Sequence, residues 1–365
     1  MKKKVFALLT AAAMVLALAA CGNNSGNSGN AGNPGNSNPD PAGSTPTNNA
    51  PETPTYAKGE FQLRIATVVS GDHSWVQMGN YMAEQLNQRS DGAIEVTVAP
   101  GGQLGTDEAT IDDMRLGTLD MIIGGTQNAA PFVPEFQVLG IQYLFPSRDV
   151  FESLLEQDGE VFNYFQGRYD ANGLGLKLLG LCNGGARDLH TKSPINSLAD
   201  LSGMKMRVTS SATESMVWST LGALPTSMAF NDIYSAMSNN TVDAFECTLS
   251  SYQSSALYEV APYHVATGHQ YTPTHVTCSE ITWNKLPAEF QTLLKEVAKE
   301  ACLLGSQLAD QADDNLLGTL VSEQGVTVCN PDLAEFKAAV EPLYSQIAAD
   351  CNGQELLDLI NSLIG

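Results

Sequence analysis

The chain has 365 residues, 43% of them hydrophobic, and a formal net charge of −22. That length suits two lobes of ordinary domain size. The acidic balance sets the body against nucleic acid and anionic lipid, so a bound anion has to be held by a local cluster of positive groups.

The first residues, MKKKVFALLTAAAMVLALAAC, carry three lysines and then an apolar run from Val5 to Ala17. A run of roughly 13 residues is short for a membrane span and fits the core of a signal peptide. It closes in Leu18-Ala19-Ala20-Cys21, which resembles the lipobox of bacterial lipoproteins. That resemblance implies a signal peptide over 1–20 and a lipidated Cys21. Loss of 1–20 removes Lys2, Lys3 and Lys4 and no acid, leaving about −25. From residue 22 to about 58 the chain is almost entirely Gly, Asn, Ser, Pro, Thr and Ala. Nothing there builds a core, so 21–58 reads as the anchored cysteine and a disordered tether, reaching about 30–35 Å on average.

FQLRIATVV (61–69) reads as a buried strand. Trp75, Met78, Met82 and Leu86 then fall on one helical stripe that ends near Ser90-Asp91-Gly92. AIEVTVAP (93–100) is a second strand, TDEATIDDMRLG (106–117) a helix with its acids near the start, and TLDMIIGG (118–125) a third strand. This β-α-β-α-β order opens a doubly wound sheet. The second half is built alike. In GMKMRVTSS (203–211), Met204, Met206 and Val208 share one strand face and Arg207 stands on the other, near the strand's end. Ser211 and Glu214 have capping-box spacing for a helix over 212–222. ALPTSM is extended, 230–240 is helical, TVDAFEC is a strand, and 250–259 is a further helix. RLGTLDMII and SNNTVDAFE match in kind. Each has a helix end, Gly117 or Asn240 at a left-handed cap, then Thr, an apolar residue, Asp and a strand. From Pro287 the helical pattern either runs unbroken to Glu323, about 37 residues and some 55 Å, and so lies across both lobes, or breaks at Gly305 or Gly318.

Beyond Cys21 lie Cys182, Cys247, Cys278, Cys302, Cys329 and Cys351. Export permits disulfides, and six thiols allow 15 pairings. The wide spacing favours small buried residues with at most one pair, Cys329–Cys351 being the first to test. His264, His269 and His275 lack the spacing of a helical metal site and read as scaffold. No phosphate loop, dinucleotide fingerprint or nucleophile elbow occurs in the body. No metal and no cofactor is expected.

The stretch DLSGMKMRVTSSATESMVWSTLGALPTSMAFNDIYSAMSNNTVDAFECTLSSYQSSALYEVAPYHVATGH (200–269) resembles the DctP-type solute-binding proteins of TRAP transporters, the tripartite ATP-independent transporters of bacteria. PGGQLGTDEATIDDMRLGTLDM (100–121) and GGARDLHTKSPINSLADLSG (184–203) resemble two further segments of that family, and the likeness covers about 61–345. It implies an α/β, two-lobed, periplasmic-binding-protein-like (Venus flytrap) fold with a hinge and a long helix crossing both lobes. The lobes are expected over 59–184 plus about 273–312, and 185–272 plus about 313–365. The resemblance implies an extracytoplasmic, lipid-anchored receptor that binds a small organic acid and passes it to a small and a large membrane subunit. Arg207 matches the arginine that pairs with the ligand carboxylate. Arg187 matches a second arginine of some relatives, and Phe230 a ring that lines the cleft. Glu246, Cys247, Thr126 and Asp107 complete the expected ligand-binding set. Where the family has Asn after the strand's Glu, this chain has Cys247, whose thiol is a weak donor. Two other readings remain at this point: a lipid-anchored hydrolase of carboxylated sugars using Asp243 and Glu246, and an ABC-type binding protein. C4-dicarboxylate, sialic acid, hexuronate and other sugar acids are all open as the ligand.

Overall fold

The computed structural model describes residues 55–365. The signal peptide, Cys21 and the tether as far as residue 54 lie outside the described residues. The Tyr56 hydroxyl donates to Glu289, and its ring centroid lies 4.7 Å from that of Phe290.

One sheet organises the body. Its strands are β1 (Phe61–Ala66), β2 (Ile94–Ala99), β3 (Met121–Gly125), β4 (Leu176–Thr191), β5 (Lys205–Val208), β6 (Leu224–Ser227), β7 (Ala244–Thr248), β8 (Tyr263–Ser279) and β9 (Thr327–Cys329). The spatial order is β2-β1-β3-β8-β4-β7-β5-β6, with β9 alongside β8. β1 pairs in parallel with β2 and β3, and β5 pairs in parallel with β6 and β7. The two lobes therefore repeat one topology, in which the first strand of each half lies between the second and the third. The matched segments 115–123 and 238–246 lead into β3 and β7, the equivalent strands. Gly117 (φ 75°) and Asn240 (φ 58°) both adopt the expected left-handed backbone.

Between the halves run β4 and β8, two long antiparallel strands that the pattern analysis did not identify. Their pairing shifts register between Leu178 and Gly180, between Asn183 and Ala186, and between Arg187 and Leu189. Each shift is a bulge that bends and twists the ribbon. One end of β8 (Gly125↔Thr274 to Met121↔Cys278) pairs with β3, and one end of β4 (Thr191↔Ala244 to Arg187↔Thr248) pairs with β7.

The helix Ser74–Arg89 buries Trp75, Met78, Met82 and Leu86, the predicted stripe. The long helix is continuous from Ala288 to Gln324, and Gly325 ends it at φ 71°. It packs on the helix Ser74–Arg89 of one lobe and on the helix Leu249–Ser254 of the other. Two local expectations are corrected. The capping box at Ser211 does not form: Glu214 turns back to accept from the Thr209 backbone N–H at 3.0 Å, and the Ser211 side chain caps nothing. The helix expected over 250–259 breaks at Ala256, which takes φ 51° before a short turn over Leu257–Glu259. The six cysteines within the described residues are buried free thiols, so Cys329–Cys351 is not a disulfide. Cys329 pairs beside Val265 in the sheet, while the Cys351 thiol faces the Ala348 carbonyl of its own helix.

The two glycines at which the long helix could have broken play different parts. Gly305 is buried where the helix crosses Met78, and a Cβ there would lie 2.4 Å from the Met78 sulfur. A Cβ at Gly318 would meet nothing within 4 Å. Gly318→Ala is expected to stabilise by about 0.5–1 kcal/mol through helix propensity. Gly305→Val is expected to destabilise by about 1–3 kcal/mol through overpacking. Urea unfolding of the two variants checks the opposite signs.

Candidate functional site

Open α/β sheets gather ligands at the carboxyl ends of their strands. Here four such ends converge. Val68 and Val69 follow β1, Gln127 and Asn128 follow β3, Thr209 follows β5, and Ser251 follows β7. Arg207 of β5, Cys247 of β7 and Arg187 of β4 complete the polar wall, while Trp75 and Phe230 close the apolar one. The enclosed space is only about 30 Å³. A sugar-sized solute needs far more, so these walls must part for it to enter.

Arg207 is 1% exposed. Its Nε donates to the Met228 carbonyl at 2.9 Å, which fixes the plane of the guanidinium. Among the described residues no carboxylate lies within 4.0 Å of it. Burial lowers its pKa, against the raising effect of Glu246 and Glu214. This is a buried, oriented cation whose terminal N–H groups no acid among the described residues occupies.

Arg187 is in a different state. It follows the Gly184-Gly185 bulge of β4, opposite Thr248 in the register with β7. Its Nε and Nη2 donate to the two carboxylate oxygens of Glu246, and Nη2 also to the Glu246 carbonyl at 3.2 Å. Burial alone would raise the Glu246 carboxyl. The Arg187 charge and the His269 ring, 3.5 Å away, outweigh it and bring the pKa down to about 2. Burial likewise opposes the charge on Arg187, and Glu246 overturns that and raises its pKa.

Of the expected residues, the structure brings Arg207, Arg187, Phe230 and Cys247 to the cavity. Phe230 packs against the cores of both halves, so its ring spans the cleft. Cys247 is 2% exposed and its thiol pKa is raised by burial, so it stays neutral. Glu246, Thr126 and Asp107 are not in the wall. Glu246 lies behind Arg187. Thr126 is buried with its hydroxyl unpaired. Asp107 sits behind Asn128, accepting from its side-chain amide at 2.6 Å.

Pattern analysis missed Trp75, Gln127, Asn128, Thr209 and Ser251. Gln127, Asn128, Thr209 and Ser251 share one signal, position just past a strand's end, while Trp75 lies in the first turn of the helix that follows β1. His73 caps the helix Ser74–Arg89: its Nδ1 accepts from the Trp75 N–H at 3.1 Å, so Nε2 carries the proton and donates to Ser251 Oγ at 3.0 Å. Burial lowers its pKa to about 3, so it adds no charge. The Trp75 indole N–H is held by Thr274 Oγ1 at 3.0 Å. His264, His269 and His275 are distributed along β8, and His275 lies 2.8 Å from Thr277 Oγ1.

Asp107 gives a pH test. Burial raises its pKa to about 7, with Glu108 adding and Asn128 and Arg207 opposing. The folded protein therefore keeps a proton there that the unfolded chain releases near the ordinary carboxyl range. The contribution is fully present below about pH 4 and is lost as pH rises toward 7. Asp107→Asn should retain the Asn128 contact and flatten that slope by about 2 kcal/mol between pH 5 and 8. Thermal melts of both proteins at the two pH values test it, and parallel slopes would refute it.

The sequence profile of the DctP family, bacterial extracellular solute-binding protein, family 7, matches residues 65–350. The sialic acid-binding periplasmic protein SiaP of Vibrio cholerae is 27% identical over 301 residues, 82% of this chain and 90% of that protein. The 2,3-diketo-L-gulonate-binding periplasmic protein YiaO of Escherichia coli is 30% identical, covering 72% of this chain and 78% of its own. The crystal structure of a TRAP periplasmic solute binding protein from Xanthobacter autotrophicus, with bound β-D-galacturonate, superposes with a TM-score of 0.77 at 29% identity. It covers 83% of this chain and 99% of that one.

Proposed function

The chain belongs to the DctP family of bacterial extracellular solute-binding proteins, and on that premise we propose that its interlobe cavity receives a carboxylate-bearing solute on Arg207. The observation that carries this is the state of Arg207: buried, oriented by the Met228 carbonyl, and without a carboxylate partner among the described residues. A guanidinium offers a carboxylate two parallel charge-assisted hydrogen bonds in one plane. Similar structures hold β-D-galacturonate and D-glucuronate, which supports a sugar acid as the solute. Phe230 and Trp75 form apolar walls, and Arg187 presents its remaining N–H groups to the polar part of the solute.

The protein is an extracytoplasmic receptor, not an enzyme. The two acids of the hydrolase reading are each engaged by a basic side chain. Asp243 turns to Lys205, 3.6 Å away, and Glu246 is consumed by Arg187. Membership in the DctP family sets the chain with TRAP transporters rather than with an ABC-type partner. Delivery to a small and a large membrane subunit follows as part of this reading. So does attachment through a lipid on Cys21, supported by the Leu18-Ala19-Ala20-Cys21 sequence.

Arg207→Lys keeps the charge and loses the fork. It is expected to weaken binding of a hexuronate such as D-galacturonate by about ten- to a hundredfold, or about 1.5–3 kcal/mol, with the fold intact. Arg207→Ala should lose more, because the solute's carboxylate would then be buried unpaired. Titration calorimetry beside circular dichroism decides it. A folded Arg207→Lys variant that binds like wild type would remove Arg207 from the role. Separately, labelled palmitate is expected on the wild-type protein and not on Cys21→Ala, and equal labelling of both would refute the anchor.

A further inference from the structure

We propose that the cavity selects solutes carrying one negative charge, and that Glu246 sets this selection by neutralising Arg187. The inference rests on the receptor reading above and concerns the same cavity.

The argument is a count of fixed charge. The basic side chains in the cavity wall are Arg207 and Arg187. Arg187 is already engaged through two of its nitrogens with the Glu246 carboxylate, which is 0% exposed. The pair is buried and neutral as a unit. It can still donate hydrogen bonds from the N–H groups that Glu246 leaves, but it offers no net charge. Arg207 lacks any such acid. His73 contributes none, since burial keeps it neutral. Glu214 and Asp107 are acids and supply no positive charge, and His269 stands 3.5 Å from the Glu246 carboxylate, outside the cavity wall. The cavity therefore holds one uncompensated cation.

A solute with one carboxylate matches it. The carboxylate lies on Arg207, and the remainder meets neutral donors and acceptors at Asn128, Thr209 and Ser251 and the Arg187 N–H groups. A second carboxylate on the same skeleton would be buried facing Arg187, with the Glu246 carboxylate immediately behind. Burying a charge without its counter-charge is strongly unfavourable. Cys247 adds to this. It stands next to Glu246 in β7 and gives only a weak S–H donor to whatever approaches. Glu246 does not touch the solute in this arrangement. It is a positioning residue, acting through Arg187.

The test compares acids that share a carbon skeleton: D-galacturonate and D-gluconate against galactarate and glucarate, with malate and succinate added. Calorimetric titration of the wild-type protein is expected to show each monocarboxylate bound at least about tenfold tighter than its dicarboxylate counterpart. A dicarboxylate bound equally or more tightly overturns the inference and leaves the receptor reading standing. Binding of none of these acids, in titration or in thermal shift, overturns both. Glu246→Gln removes the neutralising charge and should shift the ratio toward the dicarboxylate by about tenfold. A folded Glu246→Gln protein with the wild-type ratio overturns the role of Glu246. Should that variant not fold, the wild-type ratio alone still decides whether the cavity selects a single charge.

Discussion

Both halves of the molecule hang on the antiparallel ribbon of β4 and β8. Each of these strands pairs with a strand of one parallel set at one end and reaches the other set's territory at its far end. A continuous flat ribbon would hold the halves rigidly in one plane. The register breaks between Asn183 and Ala186 let it bend, and they free backbone donors that must find partners. Three side chains supply them. Ser306 Oγ accepts from Asn183 N–H at 3.1 Å, Asn183 Oδ1 from Gly185 N–H at 2.9 Å, and Asp313 Oδ2 from Ala186 N–H at 2.8 Å. Two of the three come from the long helix, which thus acts as a strut against the bend. The glycines are required by geometry. A Cβ at Gly184 would lie 2.4 Å from Thr274 Oγ1, and Gly185 sits at φ 104°. Burial raises the Asp313 carboxyl to about 7, the Ala186 N–H opposing, so the strut's own acceptor is poised near neutrality.

The residue after this bend is Arg187, and its pairing with Glu246 follows from strand register. Glu246 lies opposite Leu189 in the β4–β7 ladder, and Arg187 opposite Thr248, so the two side chains sit diagonally on one face. Long side chains reach across that diagonal. The pair is buried on both sides. A buried ion pair contributes little net stability against an apolar replacement, whereas removal of one member leaves an uncompensated charge. In the proposed arrangement its value lies in position: it holds a guanidinium at the cavity without lending the cavity its charge. Arg207 is the converse case. Its one carbonyl partner, Met228, fixes the plane of the fork. Once the walls part, an arriving carboxylate meets a guanidinium that is already oriented.

The parallel strands and their helices were legible because they obey short periods. Trp75, Met78, Met82 and Leu86 keep helical spacing, and Met204, Met206 and Val208 alternate. Arg207 was legible for the same reason, standing on the far face of a short strand that gives way to a helix. β4 and β8 were not. They are 16 and 17 residues long, buried on both faces along most of their length, and interrupted by bulges, so they show no alternation for a period of two to detect. Missing the ribbon meant missing its registers. The sequence alone therefore does not reveal that the neighbour of Glu246 in space is Arg187. For a related reason the sequence does not reveal that Asp107 lies behind Asn128. Sequence puts them near the ends of the right elements but does not say which of Thr126 and Asn128 turns inward. Glu214 has capping-box spacing with Ser211, yet burial beside Thr209 gives it another bond.

A protein with a net charge of −22 holds an anion site, and distance reconciles the two. An acid about 15 Å away across water-like dielectric repels a bound carboxylate by about 0.3 kcal/mol before any screening. At physiological salt the Debye length of about 8 Å reduces that further. A guanidinium about 4 Å away in a medium of effective dielectric near 20 attracts it by about 4 kcal/mol. One buried arginine at contact therefore outweighs many exposed acids at the surface. The same arithmetic explains why a single buried acid matters where the surface acids do not. In the proposed arrangement Glu246 acts at the same short range as Arg207, cancelling the charge of Arg187 that a second carboxylate could have used.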